Sequence, residues 1–391
     1  MDDPRVRADP NDGISAGTQW FDLFGRLRGL PIAYHPTPYN IQANLIAAVY
    51  AVGLGKISKA AGLLAEAVTM CIDAGLHRSA DNYDLFDPIE DEVRKRTFWC
   101  VYIWDKQLAA HFGRPTLLRL RDCDVAEPSP VDDEFITREA IGTPPPGTSC
   151  RLAAFIVSLR IMVVLEAVLD VPPARQSDDS TSFLIKATNV LSGVRHFNPM
   201  REEEALLDEI HRGVPAYWAH TAETLACDDT IRLTQAVRLH CAEQYVRLLI
   251  YRHRFSELVA ERTNGAVDTD EQTEQEKEAL IAAHNAALQI VGSHLHIAKK
   301  GLMTYCKQWN FYHLLCLANS TCRWRPRYPS TDAGGSDFGC STSLLQDGCS
   351  PTSYSSWPGR FEVVHRTFAT LQRSLRLWPA LRRPHGRVLP T

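Results

Sequence analysis

Between Asp87 and Gly113 the chain reads as one long helix that has to be enclosed by neighbours on most of its sides. Asp87 stands at an N-cap position, Pro88 follows where its missing N–H costs nothing, and Glu90 completes the capping-box spacing. Gly113 is the expected terminator, because glycine accepts the left-handed conformation that ends many helices. Within these limits Thr97 to Trp104 carries no charge on any face, so this stretch has no side written for water. A helix of that kind cannot be the surface of anything; the chain must build several helices around it.

Those neighbours are visible as apolar periodicity. Ile57, Ala60, Ala61, Leu64, Val68, Cys71, Ile72 and Gly75 recur at helical spacing, with Lys59 and Glu66 left for water and Gly75 as the stop. Pro88 is the only proline from Ile41 to Phe112. Helical periodicity resumes from Leu152 to Leu169 until Pro172-Pro173 ends it, and further helices are predicted near 202–212, 231–262, 272–299 and 307–319. The acidic stretch Asp268 to Glu278 reads as a solvated loop and first turn. Strand signals are few and no repeat at a fixed period is evident. The expected fold is all-α, a large multi-helix domain of irregular packed helix pairs with irregular termini.

The layout that follows is an irregular lead-in over 1–40, rich in Pro, Gly and Asp, and a helical domain over 41–320. Residues 321–360, dominated by Ser, Gly, Pro and Cys, read as disordered or low-complexity. Residues 361–391 read as a basic amphipathic helix and tail, with Val364, Phe368, Leu371, Leu375 and Trp378 on one stripe.

Several function classes receive no support. A formal net charge of -4 supplies no global positive field for phosphates. The polar start Met1-Asp2-Asp3-Pro4 lacks the apolar core of a secretory signal. The longest apolar stretches, Leu45 to Leu54 and Phe155 to Leu169, are short or carry Arg160, so no membrane span is expected and the protein reads as soluble and intracellular. Eleven cysteines lie scattered, the nearest pair being Cys316 and Cys322, which offers neither a zinc loop nor a disulfide framework. No nucleophile elbow, phosphate-cradling glycine loop or zinc-protease helix occurs. His294 and His296 diverge on a helix, and His240 with Glu243 reads as an ordinary hydrogen-bonded pair. Asp132-Asp133-Glu134 resembles the acidic magnesium motif of helical isoprenoid synthases, which makes a magnesium-dependent enzyme of that type the alternative reading; clustered acids in a turn are the simpler one.

One combination of motifs is specific. In order and spacing, Gly75-Leu76-His77-Arg78, the run Glu92, Arg94, Arg96, Phe98 and Trp99, Asp105, Gly113-Arg114-Pro115 and Asp122 to Pro128 resemble the regulatory domain (middle homology region) of fungal zinc-cluster transcription factors. Matching extends in order from about Asn40 to Leu317, and Tyr245 to Phe255 resembles a family helix ending in arginine and proline, with Arg252 at the arginine and His253-Arg254 departing from the pattern. The resemblance implies an all-helical domain that regulates transcription, sometimes by sensing small molecules, with no catalytic residues and no cofactor in this part. It implies zinc only in the family's DNA-binding head, whose Cys-x2-Cys-x6-Cys array, repeated twice, is absent from these 391 residues. No heptad coiled coil precedes Ile41. The expectation is a regulator without its own DNA-reading head, or a chain whose start is placed too far downstream. It would act in the nucleus, with the cytoplasm as the alternative, on the transcription machinery or other regulators. It would work alone or as a homodimer or heterodimer, reaching DNA only through a partner or a missing head, without membrane contact.

Two readings stay open for single residues. Glu92, Arg94, Arg96, Asp105 and Arg114 form either an ionic network tying the core helix to its neighbours or part of an effector pocket. Arg114 and His77-Arg78 are placed to satisfy helix-terminal carbonyls. Trp99, Tyr102, Trp104 and Phe112 either pack in the core or line a pocket between helices.

Overall fold

The computed structural model describes residues 6–9, 11, 15–80, 85–171, 200–263 and 270–302. The chain divides into two units, Met1–His313 and Leu314–Thr391, and every described residue lies in the first. The helix read at 307–319, the segment 321–360 and the basic tail 361–391 therefore lie outside the described residues.

The described residues form nine α-helices: α1 Thr18–Leu27, α2 Pro38–Gly53, α3 Ile57–Asp73, α4 Pro88–Phe112, α5 Leu152–Leu169, α6 Arg201–Arg212, α7 Ala222–Ala226, α8 Thr230–Thr263 and α9 Asp270–Lys299. Extended pairing among them is limited to two isolated bridges, Arg7 with Ala16 and Ile136 with Ile141. The fold is all-α, built from packed pairs: α2 on α3, both on α4, α4 on α5, α5 on α6 and α8, and α8 on α9.

The caps act where the sequence places them. The Glu90 amide donates to the Asp87 side chain at 2.8 Å, and Gly113 closes α4 at φ 64°. Phe98, Val101 and Tyr102 are fully buried, with Trp99 and Ile103 nearly so, so the uncharged stretch is enclosed all round. Each large ring of this set contributes about 2 kcal/mol of burial free energy. Gly75 ends α3 at φ 67°, and the Leu76 amide reaches back to the Cys71 carbonyl at 2.9 Å while Leu76 itself is buried.

The lead-in is less irregular than its composition predicts. Phe21 and Phe24, one turn apart, make α1 amphipathic; Phe21 is buried 5.0 Å from the Tyr50 ring of α2, under Lys59 Nζ of α3. Tyr50 Oη donates to the Ala16 carbonyl at 2.7 Å and ties the entry to the body. Tertiary contact with aromatic neighbours outweighs the local proline and glycine content here.

α5 also departs from expectation: its 18 residues have a mean hydropathy of 2.3, long and apolar enough to cross a membrane by length and composition. Its apolar surface has another use, since ten of its residues are buried against α4, α6 and α8. Its charges are matched as well: Arg160 pairs with Glu127 at 2.7 Å, and Glu166 binds groups from α4 and the chain beside it. α8 likewise runs on through Arg252 to Thr263, because His253-Arg254 supplies no proline to stop it.

Candidate functional site

One face of α4 carries a polar side chain at nearly every turn: Glu92, Arg96, Trp99, Tyr102 and Lys106. The connection that leaves Gly113 runs back along this face as an extended strap to Val131, and each of these side chains except Tyr102 fastens it directly. Lys106 Nζ donates to the Leu118 carbonyl, Trp99 Nε1 to Ala126 O at 2.8 Å, and Arg96 Nη2 to Val131 O at 3.0 Å. Glu92 Oε1 accepts from the Ser129 amide at 2.9 Å, and its other oxygen holds Arg96 Nε at 3.0 Å. Apart from one 3-10 turn at Leu120–Asp122, the segment forms no helix or sheet of its own, and side chains of the neighbouring helix satisfy several of its backbone groups.

The deep end of the strap is a closed ionic knot. Lys106 is fully buried, with Asp105 Oδ2 at 3.1 Å, Glu166 Oε2 at 2.9 Å and the Tyr102 ring 4.5 Å away. Asp105 accepts the Leu117 and Leu118 amides at 3.0 to 3.1 Å. Glu166 accepts the Leu120 amide at 2.9 Å and the Tyr102 hydroxyl at 2.7 Å. Burial, then the bond to Glu166, push the Tyr102 hydroxyl pKa upward, so the phenol stays a donor. One cation against two carboxylates is tolerated because four strap and tyrosine donors fill the remaining lone pairs.

The shallow end holds the remaining motif residues. Arg94 Nη2 donates to the Ala74 carbonyl at 3.0 Å and its guanidinium lies 4.3 Å over the Phe86 ring. The orphan carbonyls at the end of α3 are therefore met one by one, Ala74 O by Arg94, Ile72 O by the Gly75 amide and Cys71 O by the Leu76 amide, rather than by the side chains of His77 or Arg78. His77 instead offers its carbonyl to the Asp124 amide at 3.2 Å, and Asp124 takes the Ser79 amide at 2.8 Å and Arg78 at 3.7 Å. Arg114 and Pro115 are exposed at the turn into the strap; the Arg114 amide, not its side chain, caps Ala109 O at 3.1 Å. Glu92 and Arg96 thus form one clamp, Asp105 with Lys106 a second, and Arg94 a third, rather than one continuous network. Arg252 sits on α8, half-buried.

What the arrangement can do chemically is limited by how completely its groups are used. Asp132 spends both oxygens on the Arg151 and Leu152 amides at 2.9 to 3.2 Å, at the N-terminus of α5; burial opposes ionisation, yet those bonds hold its pKa below the ordinary value. Asp133 pairs with Arg96. Asp132 is thus a helix cap and Asp133 a clamp, with Glu134 exposed beside them, and nothing in this geometry supports the isoprenoid-synthase reading. Trp104 borders a small apolar crevice with Leu45, Ala48, Val52, Ala60 and Leu64, of about 10 Å³, roughly the space of one water. Among the described residues no group of three or more His, Cys, Asp or Glu is placed to hold a metal ion, and the residues present do not fit the paired zinc ions of the family's head.

A second polar cluster was not anticipated. The rings of His220, just after the turn Ala216–Trp218, and His240 of α8 stack at 3.9 Å and 5°. His220 Nε2 lies 3.3 Å from Ser293 Oγ, and His240 Nε2 is buried without a partner. Glu243, which shares a helix face with His240, binds His211 Nδ1 at 2.9 Å and Arg247 at 3.0 Å instead. Only the i, i+3 spacing of His240 and Glu243 was visible in sequence, and it points to the wrong pair.

Comparison with known proteins gives these features a context. The model of the fungal specific transcription factor domain matches residues 34–214, which include α2 to α6 and the whole strap. Pyrimidine pathway regulatory protein 1 of Saccharomyces cerevisiae is 28% identical over 162 residues, 39% of this chain and 18% of its own length. Transcriptional activator protein acu-15 of Neurospora crassa is 27% identical over 179 residues, 46% of this chain and 18% of its own. Activator of stress genes 1 of Saccharomyces cerevisiae is 32% identical over 101 residues, 26% of this chain and 10% of its own. The chain thus spans less than a fifth of the length of these relatives. No solved structure matches it.

Proposed function

We propose that this chain is a regulator of transcription that works through protein contacts made by its helical body, with a small effector as a further input; residues 34–214 match the fungal specific transcription factor domain. The observation that carries the reading is the coincidence of the matched region with the α4 strap: the motif residues Glu92, Arg94, Arg96, Trp99 and Asp105 are spent on holding one shape, and none is left exposed for chemistry. A domain whose distinctive residues fix a surface acts by presenting it. The relatives are named as regulators and activators of transcription, and none of the three as an enzyme.

The site of action in this reading is the nucleus, and the partners are the transcription machinery or other regulators, met as a monomer, homodimer or heterodimer. Sequence-specific DNA contact by a zinc cluster is not made within these 391 residues, which lack the six-cysteine array, so DNA is reached through a partner or through a head outside them. The test is to fuse the chain to an unrelated DNA-binding domain and measure a reporter driven from its site in a fungal cell. A reporter shifted up or down, and returned to baseline by Trp99→Ala, which removes the α4 donor that fastens the strap at Ala126, supports the reading. A reporter indifferent to the fusion, with the fusion protein present in the nucleus, would overturn it.

A further inference from the structure

The connection from α6 to α8 is pinned at both ends and fastened in its middle by one side of α9. At the near end the buried Trp218 indole donates to the Cys150 carbonyl at 2.9 Å. At the far end Asp229 accepts the Ile231 and Arg232 amides at 2.9 and 3.1 Å and the Tyr217 hydroxyl at 3.0 Å. Between these anchors the chain lies along Ser293, His296 and Lys300, whose spacing of three and then four residues keeps them on one side of α9 and its last turn. Ser293 Oγ lies 3.3 Å from His220 Nε2, His296 Nε2 donates to Leu225 O at 2.9 Å, and Lys300 Nζ donates to Cys227 O at 2.7 Å. His220 also lies flat on His240 of α8 with ring centroids 3.9 Å apart, a packing that suits two neutral rings and not two cations.

We propose that residues 219–228 form a proton-released latch: uptake of protons by His220 and His240 lifts this stretch, α7 included, off α8 and α9, while Trp218 and Asp229 hold its ends. It goes beyond the regulatory reading and does not depend on it. His240 Nε2 is buried without a partner, so a proton added there in the closed form finds no acceptor. Among the described residues the carboxylate facing the pair is Glu243 of α8, and its two oxygens already hold His211 of α6 at 2.9 Å and Arg247 of α8 at 3.0 Å. The other facing groups are His296 of α9, a further cation once protonated, and the neutral Gln289 and Ser293. Burial, then His296, lowers the pKa of His220; burial, then His220 and His211, lowers that of His240. The closed form is therefore favoured above the ordinary histidine value and loses ground to the open form as pH falls below it. With five residues, α7 is too short to persist as a helix once these contacts are given up.

The experiment is native-state amide exchange of the full chain in graded urea at pH 7 and pH 5.5. It is read at Leu225, whose amide bonds the Thr221 carbonyl, and at Leu118 and Leu120 in the strap. After correction for the intrinsic exchange rate, Leu225 is expected to lose at least about tenfold in protection from the higher pH to the lower, through an opening that urea barely affects. Leu118 and Leu120 continue to exchange through the urea-dependent opening of the whole body. His220→Phe/His240→Phe keeps two stacked rings that cannot take a proton, and there the loss at Leu225 should shrink to less than about twofold. If circular dichroism shows that this double variant does not fold, His220→Gln is read in its place and should give a smaller loss than the parent. A parent whose Leu225 shows only the urea-dependent opening at both pH values has no latch, and a folded variant that keeps the parent's full loss places the protons elsewhere. Either result overturns the proposal.

Discussion

Lys106 of α4 and Glu166 of α5 meet 2.9 Å apart, Lys106 with no solvent exposure and Glu166 with almost none. Removing only the cation strands two carboxylates in the core. Lys106→Met is expected to destabilise the fold by about 3–5 kcal/mol, measured by urea unfolding. Lys106→Met combined with Glu166→Gln should cost clearly less than the sum of the single changes, because the uncompensated charge is then gone. Additive losses would show that the knot holds no coupled pair.

How much of this was legible in sequence follows from how local each signal is. α4 was readable because Asp87, Pro88 and Gly113 act within a turn of themselves, and the uncharged stretch announces burial without reference to any partner. Lys106 was not, because a lysine beside an aspartate on a helix ordinarily reaches for water, and its real partners come from the strap and from α5. Glu166 was hidden for the same reason inside an apolar run. The strap is written in side chains of another element, so neither periodicity nor turn chemistry predicts its course. α1 was missed because its stability comes from Tyr50 and Lys59, which local composition cannot report.

Gly113 holds φ 64° with open space where a Cβ would stand, so the cost of a side chain there is backbone strain and not collision. Gly113→Ala should lose about 1 kcal/mol and Gly113→Val more, while Gly113→Asn, which tolerates the left-handed region, loses least. Melting temperatures in the order Asn, Ala, Val from highest to lowest are the expected outcome. Equal melting temperatures for all three would remove the left-handed cap from the account of how α4 ends.

The stacked histidines make stability depend on pH with a definite sign. Burial foremost, then the neighbouring His220 and His211, push the pKa of His240 down to about 3 from an ordinary 6.5. Its folded-state pKa is depressed, so the unfolded chain takes up the proton first, and stability falls as pH drops below 6.5 and keeps falling toward the folded value. Between pH 7 and pH 5 this one group should remove up to about 2 kcal/mol. Burial shifts His220, His294 and His111 in the same direction, which adds to the slope. Urea unfolding of the parent and of His240→Gln at both pH values isolates the share of His240. A loss between pH 7 and pH 5 as large in the variant as in the parent would assign the slope to other groups.

Glu92 is the point where the strap can be released without touching the core. Its Oε1 holds the Ser129 amide at 2.9 Å and its Oε2 orients Arg96, which in turn carries Val131 and Asp133. Glu92→Gln keeps the size of the side chain but gives up the charge that binds the guanidinium, so the far end of the strap should loosen by about 1–3 kcal/mol while α4 stays folded. Amide hydrogen exchange reads this directly. Ser129 and Val131 should exchange faster, with Leu118 and Leu120, held by Asp105 and Glu166, left as slow as in the parent. If all four amides speed up together, the strap opens as one unit and the two clamps are not independent. If none does, Glu92 does not fasten it.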